Sequence, residues 1–293
     1  VTESHRGILQ VALGASIISF AAVFARISGV DPTISAFYRM LFGGVVLAVI
    51  FLIMRPRLSL SRKEYLFAIT SGVMFAIDLA VWHRSVFYIG PGLSTLLANF
   101  QVFLIAIYGV AILKERLTLR LAVSIPLAVT GLIMIIGIDL DSMHDDYKLG
   151  VALALFTALC YTTFLIIFRK INTGSRTGVS VAVMVIVSFS AAVTLGLISL
   201  ITGENFSIPS VQSATVLITY GIAGQVLGWV LISVGIRKIA ASRVGLLLLT
   251  QPTLAFVWDI LFFSRPTSII EAFGAVVAII AIYLGSTSSG RSA

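Results

Sequence analysis

Apolar residues run along this chain in long blocks, separated by short breaks marked with proline, glycine and charge. Ten blocks can be placed, at about 8–28, 33–54, 65–88, 92–113 and 119–138, then 149–168, 178–201, 213–236, 243–263 and 268–287. Each holds roughly the 20 residues that an α-helix needs to cross the hydrocarbon core of a bilayer. Alternating strand patterns are absent, and a span must satisfy its backbone hydrogen bonds within itself, so all ten are predicted as helices. The first block follows His5 and Arg6 as the core of a secretory signal would. It is long for such a core and lacks a convincing small-residue cleavage site, so it is expected to remain as the first span.

The two sets of five blocks resemble one another. A shift of 150 places Ile89 on Ile239, Leu97 on Leu247 and Gln101 on Gln251, and a shift of 143 pairs Gly7 with Gly150 and Arg26 with Arg169. Five is odd, so the second set must enter the membrane from the opposite side. The halves 1–140 and 141–293 are therefore predicted to form an inverted repeat, an arrangement that typically builds transporters with the solute site near the midplane. A duplicated scaffold or membrane enzyme has the same symmetry, and symmetry alone leaves that alternative open.

Composition supports the membrane reading. Of 293 residues, 59% are hydrophobic and 11% charged, with a mean hydropathy of +1.09, whereas soluble domains carry about 25% charged residues. A net charge of +8 in a soluble protein would raise the question of nucleic acid. Here the cations sit between spans, and nucleic acid is not an expected partner. With the N-terminus in the cytoplasm, the inner connections hold Arg6, Arg55, Arg57, Arg62, Lys63, Lys114, Arg116, Arg120, Arg169, Lys170, Arg176, Arg237, Lys238, Arg243 and Arg291, fifteen of the 20 basic residues. That bias follows the preference of cytoplasmic loops for Lys and Arg. Asp139, Asp141, Asp145 and Asp146 fall in the longest outer connection. Both termini are thus expected in the cytoplasm, with the chain in a bacterial-type inner (plasma) membrane. Cys160 is the lone cysteine, so neither an intramolecular disulfide nor a zinc site is suggested.

Three stretches carry a family resemblance: Arg39 within "FYRMLFGG", the "AILKERLTLR" that closes the fourth span, and "LLLLTQPTLAFVWDILFFSRPT" in the ninth. On these the chain resembles the ten-span EamA-like permeases of the drug/metabolite transporter superfamily, over essentially its whole length. Within that group it is similar to the aromatic amino-acid exporters of the YddG type. The resemblance implies two five-helix bundles around a central cavity, alternating access, and export of amino acids or related metabolites. The sequence departs from that pattern in two places. Glu115 is the acidic residue expected at the end of the fourth span, but its repeat counterpart falls on Ser264 or Arg265. The first half has Val102 where the second has Pro252, so a helix break is expected in the ninth span only.

Charged and polar groups inside spans are costly and usually face a wet interior. Asp78, Trp82 and Ser85 share one face of the third span, with His83 about a hundred degrees from Trp82. Gln225 and Trp229 repeat the polar–aromatic spacing in the eighth. Gln101 and Tyr108 are seven apart, as are Gln251 and Trp258, and seven residues is two helical turns, so each pair lies along a stripe. These stripes are expected to face each other across the cavity, amides to a polar solute and rings to its apolar part. Asp78 is a candidate for a solute's ammonium or a coupling proton, and His83 for a proton relay. Tyr161, Thr162 and Thr163 in the sixth span, Ser16 and Ser19 in the first, and Asn99 are further candidates.

Structural alternatives stand beside each of these. Gln and Asn often bridge helices as glue, Tyr108 and Trp258 lie where aromatic belts form, and Asp78 has Arg84 or His83 as static partners. Asp259 is expected near the outer end and solvated. Arg39 can meet a carboxylate bidentately or snorkel to the headgroups; depth favours the structural role. Gly43, Gly44, Gly221, Gly224 and Gly228 suit close helix packing.

No phosphate loop, metal-ligand cluster or nucleophile with an adjacent base is present in the sequence. No enzyme activity, cofactor or metal is expected. The reading is a secondary transporter exporting an amino acid or similar metabolite, able to act as a single chain among membrane lipid. Rivals are a permease for drugs, nucleosides or sugars on the same scaffold, and a channel.

Overall fold

Side-chain caps fix where several helices begin. Ser61 accepts from the Glu64 backbone N–H while the Glu64 carboxylate accepts from the Ser61 N–H, a reciprocal box that satisfies two otherwise orphaned donors. Ser268 and Glu271 repeat it, and Ser210 accepts from the Ser213 N–H. Asp31 followed by Pro32 opens another helix, since the proline ring is already set to helical φ and its missing N–H was unneeded there.

A computed structural model describes residues 3–55, 60–116, 118–136, 145–173, 177–264 and 266–286. The elements are α1 (Glu3–Ile18), α2 (Ala21–Ile27), α3 (Pro32–Met54), α4 (Arg62–Ala98), α5 (Gln101–Ala111), α6 (Leu119–Ile136), α7 (Asp145–Asn172) and α8 (Thr177–Thr202). They continue with α9 (Val211–Tyr220), a π-helical segment (Gly221–Gly228), α10 (Trp229–Gly235), α11 (Ala241–Leu248), α12 (Thr250–Phe263) and α13 (Ile269–Ser286). Although α4 is helical throughout, its chain turns back on itself. The Ser94 hydroxyl donates to the Trp82 carbonyl at 3.5 Å, while a straight helix holds residues twelve apart about 18 Å from each other. Among the described residues, eight stretches are long and apolar enough to cross a bilayer, and α6 and α13 supply two shorter ones, matching the ten expected spans. The predicted boundary between halves at 140, and Arg57, Asp139, Asp141, Arg176, Arg265 and Arg291, lie outside the described residues.

The packing repeats as the sequence does. The first span packs on the eighth and the third on the sixth; the second meets the eighth and the third the seventh; the second also meets the seventh, the fourth the ninth and the fifth the tenth. Moving every span five places along, cyclically, turns this set of neighbours into itself. That is the signature of two five-helix repeats related by a pseudo-twofold axis. Many large apolar side chains face outward, among them Phe87, Leu119, Ile201 and Ile269, each at least 80% exposed. On a soluble protein such a surface would aggregate; here it is the lipid-facing coat.

Close helix approach depends on a few glycines. A Cβ on Gly43 would lie 2.8 Å from the Gly221 carbonyl oxygen, so the second and eighth spans touch backbone to backbone. Replacing Gly43 by Val is expected to force them apart and to destabilise the protein by about 1–3 kcal/mol. The check is the thermal midpoint of the purified protein in detergent, which an unforced contact would leave unchanged.

Candidate functional site

In the third span Phe75, Asp78, Leu79, Trp82, His83 and Val86 follow at helical spacing, and all line one cavity of about 990 Å³. The facing walls come from both halves: Ser19 and Arg39 from the first and second spans, Asn99 and Gln101 from the fourth, Tyr161 from the sixth, Tyr220 and Trp229 from the eighth, and Gln251 and Phe256 from the ninth. The mouth is marked by Arg26 and Asp259, paired at 3.6 Å and 62% and 38% exposed. Leu248 lies eleven residues further down the ninth span, about 16 Å along a helix axis, roughly half the hydrocarbon thickness. The floor therefore falls near mid-depth.

Local backbone irregularity aims the floor residues. The ninth span breaks at Leu249, because Pro252 removes the N–H that would bond the residue-248 carbonyl and its ring crowds that carbonyl. The fourth span breaks too, at Asn99 and Phe100, contrary to the expectation from Val102. Asn99 supplies the reason: its side-chain amide donates to the Thr95 carbonyl at 2.7 Å, a local bond that competes with helix continuation. Beyond each break a glutamine enters the cavity wall. Gln101 is 2% exposed and its Oε1 has no partner; Gln251 Nε2, beside the Tyr161 phenol, makes no well-formed hydrogen bond. The Thr157 hydroxyl and the Trp229 indole N–H are likewise buried and unpartnered. Buried polar groups normally find partners; these four stand just behind the cavity wall without one.

Of the predicted site residues, Ser19, Asp78, Trp82, His83, Asn99, Gln101, Tyr161, Trp229 and Gln251 line this space. Gln225 does not. It is wholly buried and donates to the Ser188 hydroxyl at 2.9 Å, bridging the eighth and seventh spans. The expected aromatic ends of the two stripes also lie elsewhere. Trp258 stacks on Phe20 at 4.3 Å and donates to the Ser19 hydroxyl at 2.7 Å, because two turns beyond Gln251 the neighbour is the kinked first span. Tyr108 is absent from the cavity wall. Ser85 donates to the Gly150 carbonyl at 3.0 Å, and Ser16, Thr162 and Thr163 bond back to carbonyls of their own helices.

Arg39 does not snorkel. It is 4% exposed, stands against the rings of Phe75 and Tyr220 and reaches the cavity. His83 contacts the Thr33 hydroxyl at 3.3 Å. Sequence reasoning missed Thr157 and Tyr220; Thr157 was findable, one turn before Tyr161 on the same face.

Opposite the mouth the halves are tied together. The Glu115 carboxylate accepts from the Ala241 N–H at 2.6 Å, the Ser242 N–H at 3.2 Å and the Ser242 hydroxyl at 2.9 Å, capping α11. Arg169 and Arg243 add to its electrostatic surroundings, and Arg169 donates to the Ile236 carbonyl at 2.7 Å. Lys238 donates to Gln10 at 2.9 Å.

The model of the EamA-like transporter family matches residues 5–137 and again 148–287, one copy in each half. A solved crystal structure, 15% identical, superposes with a TM-score of 0.82 over 96% of this chain and 98% of its own, which establishes the shared fold. No curated protein matches the sequence significantly.

The open wall is testable with thiols. Ala255→Cys, on the cavity lining, is expected to react with a water-soluble maleimide at least about an order of magnitude faster than the buried Cys160, as exposure governs thiol access. Equal rates would mean that the cavity is shut to water.

Proposed function

Because the chain belongs to the EamA-like transporter family, we propose that it is a secondary transporter moving an amino acid, an aromatic one included, or a related small metabolite out of the cell by alternating access. The observation that carries this reading is the mid-depth cavity between the halves, lined by aromatic and polar side chains and latched at one end. The latched end bears Lys114, Arg116, Arg169, Lys170, Arg237 and Lys238, a bias that supports reading it as the cytoplasmic side, with the membrane taken as a bacterial-type inner one. The conformation is then outward-open. The rings suit an apolar side chain and the amides a polar head. One chain supplies both halves of the pathway.

The two ends differ in strength. The mouth pair Arg26–Asp259 is exposed, and such a pair contributes about 0–1 kcal/mol. Hydrogen bonds to a charged group contribute about 1.5–3 kcal/mol each, and Glu115 accepts three. Rocking the halves must exchange the latch for contacts at the mouth. Removing it by Glu115→Ala is expected to raise the inward-open population roughly ten- to hundredfold, by the worth of one such bond. The readout is faster labelling of Ala106→Cys, buried in the closed end. Unchanged labelling would show that the closure rests elsewhere.

Transport itself is tested by counterflow in proteoliposomes with a panel of labelled amino acids, nucleosides and sugars. Saturable uptake stimulated by solute on the far side is expected for an amino acid, and lowered at least about tenfold by Gln101→Leu with Gln251→Leu, since each removes a buried polar contact. Undiminished uptake would take both glutamines out of the site. Unsaturable flux without stimulation would mean a channel.

A further inference from the structure

A pocket of about 500 Å³ opens on the outer surface between α6 and α13 and shares no lining residue with the central cavity. Leu119, Arg120, Val123, Ser124 and Leu127 line it from α6, following one another by helical turns, and Leu284 lines it from α13. Leu119, Val123, Leu127 and Leu284 are exposed, so on a membrane protein this wall meets lipid. At 18 residues α6 is about 27 Å long, close to the thickness of the hydrocarbon core. Arg120, its second residue, therefore stands at one edge of that core, where headgroup phosphates begin.

Arg120 is exposed and pairs with no carboxylate among the described residues. Glu115, five residues earlier, is taken up by Ala241 and Ser242. Lys114 and Arg116 are exposed at the same end, so cations gather at the head of the groove. Ser124 stands one turn deeper than Arg120, the level at which the ester groups of a phospholipid follow its phosphate. The wall from Leu119 to Leu127 runs about 12 Å along the helix, long enough to follow an acyl chain as well as a headgroup.

The duplication does not demand a cation here. A shift of 143 sets Gly131 on Gly274, and these two touch, a Cβ on either standing 2.7 Å from the other's carbonyl oxygen. The same shift sets Arg120 on Phe263 and Leu127 on Ile270, so the apolar character is repeated and the charge is not. A second copy of the chain docked in the groove about a twofold axis would bring Arg120 towards its own counterpart, cation to cation. A soluble anion would leave the apolar wall uncovered.

We infer that this groove is a site for a phospholipid with an anionic headgroup. Arg120 donates to its phosphate, and one acyl chain lies along Val123, Leu127 and Leu284.

The test is photolabelling of the full chain in detergent by phosphatidylglycerol that carries a diazirine in one acyl chain, with the labelled peptides mapped by mass spectrometry. Label is expected on residues 119–127 and the end of α13. Unlabelled phosphatidylglycerol should displace it at least about fivefold better than phosphatidylcholine, the worth of one basic residue at an anionic lipid surface. Arg120→Gln is expected to bring the two lipids within about twofold of each other. Arg62→Gln, which removes an exposed cation at the start of α4, should leave the preference unchanged, and Val123→Trp should fill the groove and lower the label there. Label spread evenly over the outward faces, equal displacement by the two lipids, or an Arg120→Gln protein with its preference intact overturns the site. So does an equal loss in Arg62→Gln, which marks general attraction to a basic surface. Displacement by inorganic phosphate alone gives Arg120 a free anion and overturns the lipid. A dimer that forms with rising protein concentration and excludes the label gives the groove to a second copy and overturns it too.

Discussion

Hydrocarbon offers no water to a stray backbone N–H or carbonyl, so a chain inside it can depart from regular helix only beside a cavity or against other protein. Four irregularities within the described spans obey this limit in the same way. The first span kinks at Ser19 and Phe20, the fourth at Asn99, the ninth at Leu249, and the eighth loosens into a π segment ending at Gly228, just before Trp229. Ser19, Asn99, Leu248 and Trp229 all line the one cavity. Each break is made by different chemistry: serine bonding back to its own helix, an asparagine amide, a proline ring, three glycines. Unrelated local chemistry thus places all four breaks along one cavity, where the released backbone groups do not face lipid.

Around that space the duplication has lost its symmetry. The neighbour pattern of the spans is still exchanged between halves, and glutamines 101 and 251 still stand at matching positions past matching breaks. The charges do not match. Arg39 and Asp78 both belong to the first half, while the polar residue of the eighth span that echoes Asp78, Gln225, is occupied with Ser188. The second half meets the cavity with neutral groups, among them Thr157, Tyr161, Tyr220 and Gln251, apart from Asp259 at the rim. Below the rim, the charged residues of the wall thus come from one copy of the fold, and the other copy supplies neutral ones.

The span count, the helical class and the inverted pairing were legible in the sequence because lipid imposes long apolar blocks and an odd repeat fixes orientation. Which polar residues face the cavity was only partly legible. Asp78, Trp82 and His83 stood out since charge and aromatic character are rare deep in a span. Gln225 and Gln101 look alike in sequence, and only the neighbour across the interface separates a helix bridge from a wall residue: a serine for one, open space for the other. Trp258 lies two turns from Gln251 on the same stripe, yet meets Phe20 because the first span bends towards it. The break at Asn99 was missed since proline was taken as the signal; an asparagine amide breaks a helix only where surrounding structure leaves it no better partner.

The two broken spans also connect the cavity floor to the latch. From the first half, α5 runs from Gln101 to Ala111 and delivers Glu115 just beyond its end. From the second, α11 begins at Ala241, whose N–H Glu115 accepts, and ends at Leu248 beside Gln251. At eight residues α11 is about 12 Å long, buried at every position, and its Gly245 packs against Ile105 of α5. A helix so short and so enclosed transmits displacement instead of absorbing it, because a close-packed interior yields little. A shift at its Leu248 end, on the cavity lining, is therefore felt at the Ala241 end, where three hydrogen bonds hold the halves together. The breaks at the cavity floor also divide these two segments from the mouth-side parts of their spans, α4 and α12, so the latch and the mouth are built from separate helices.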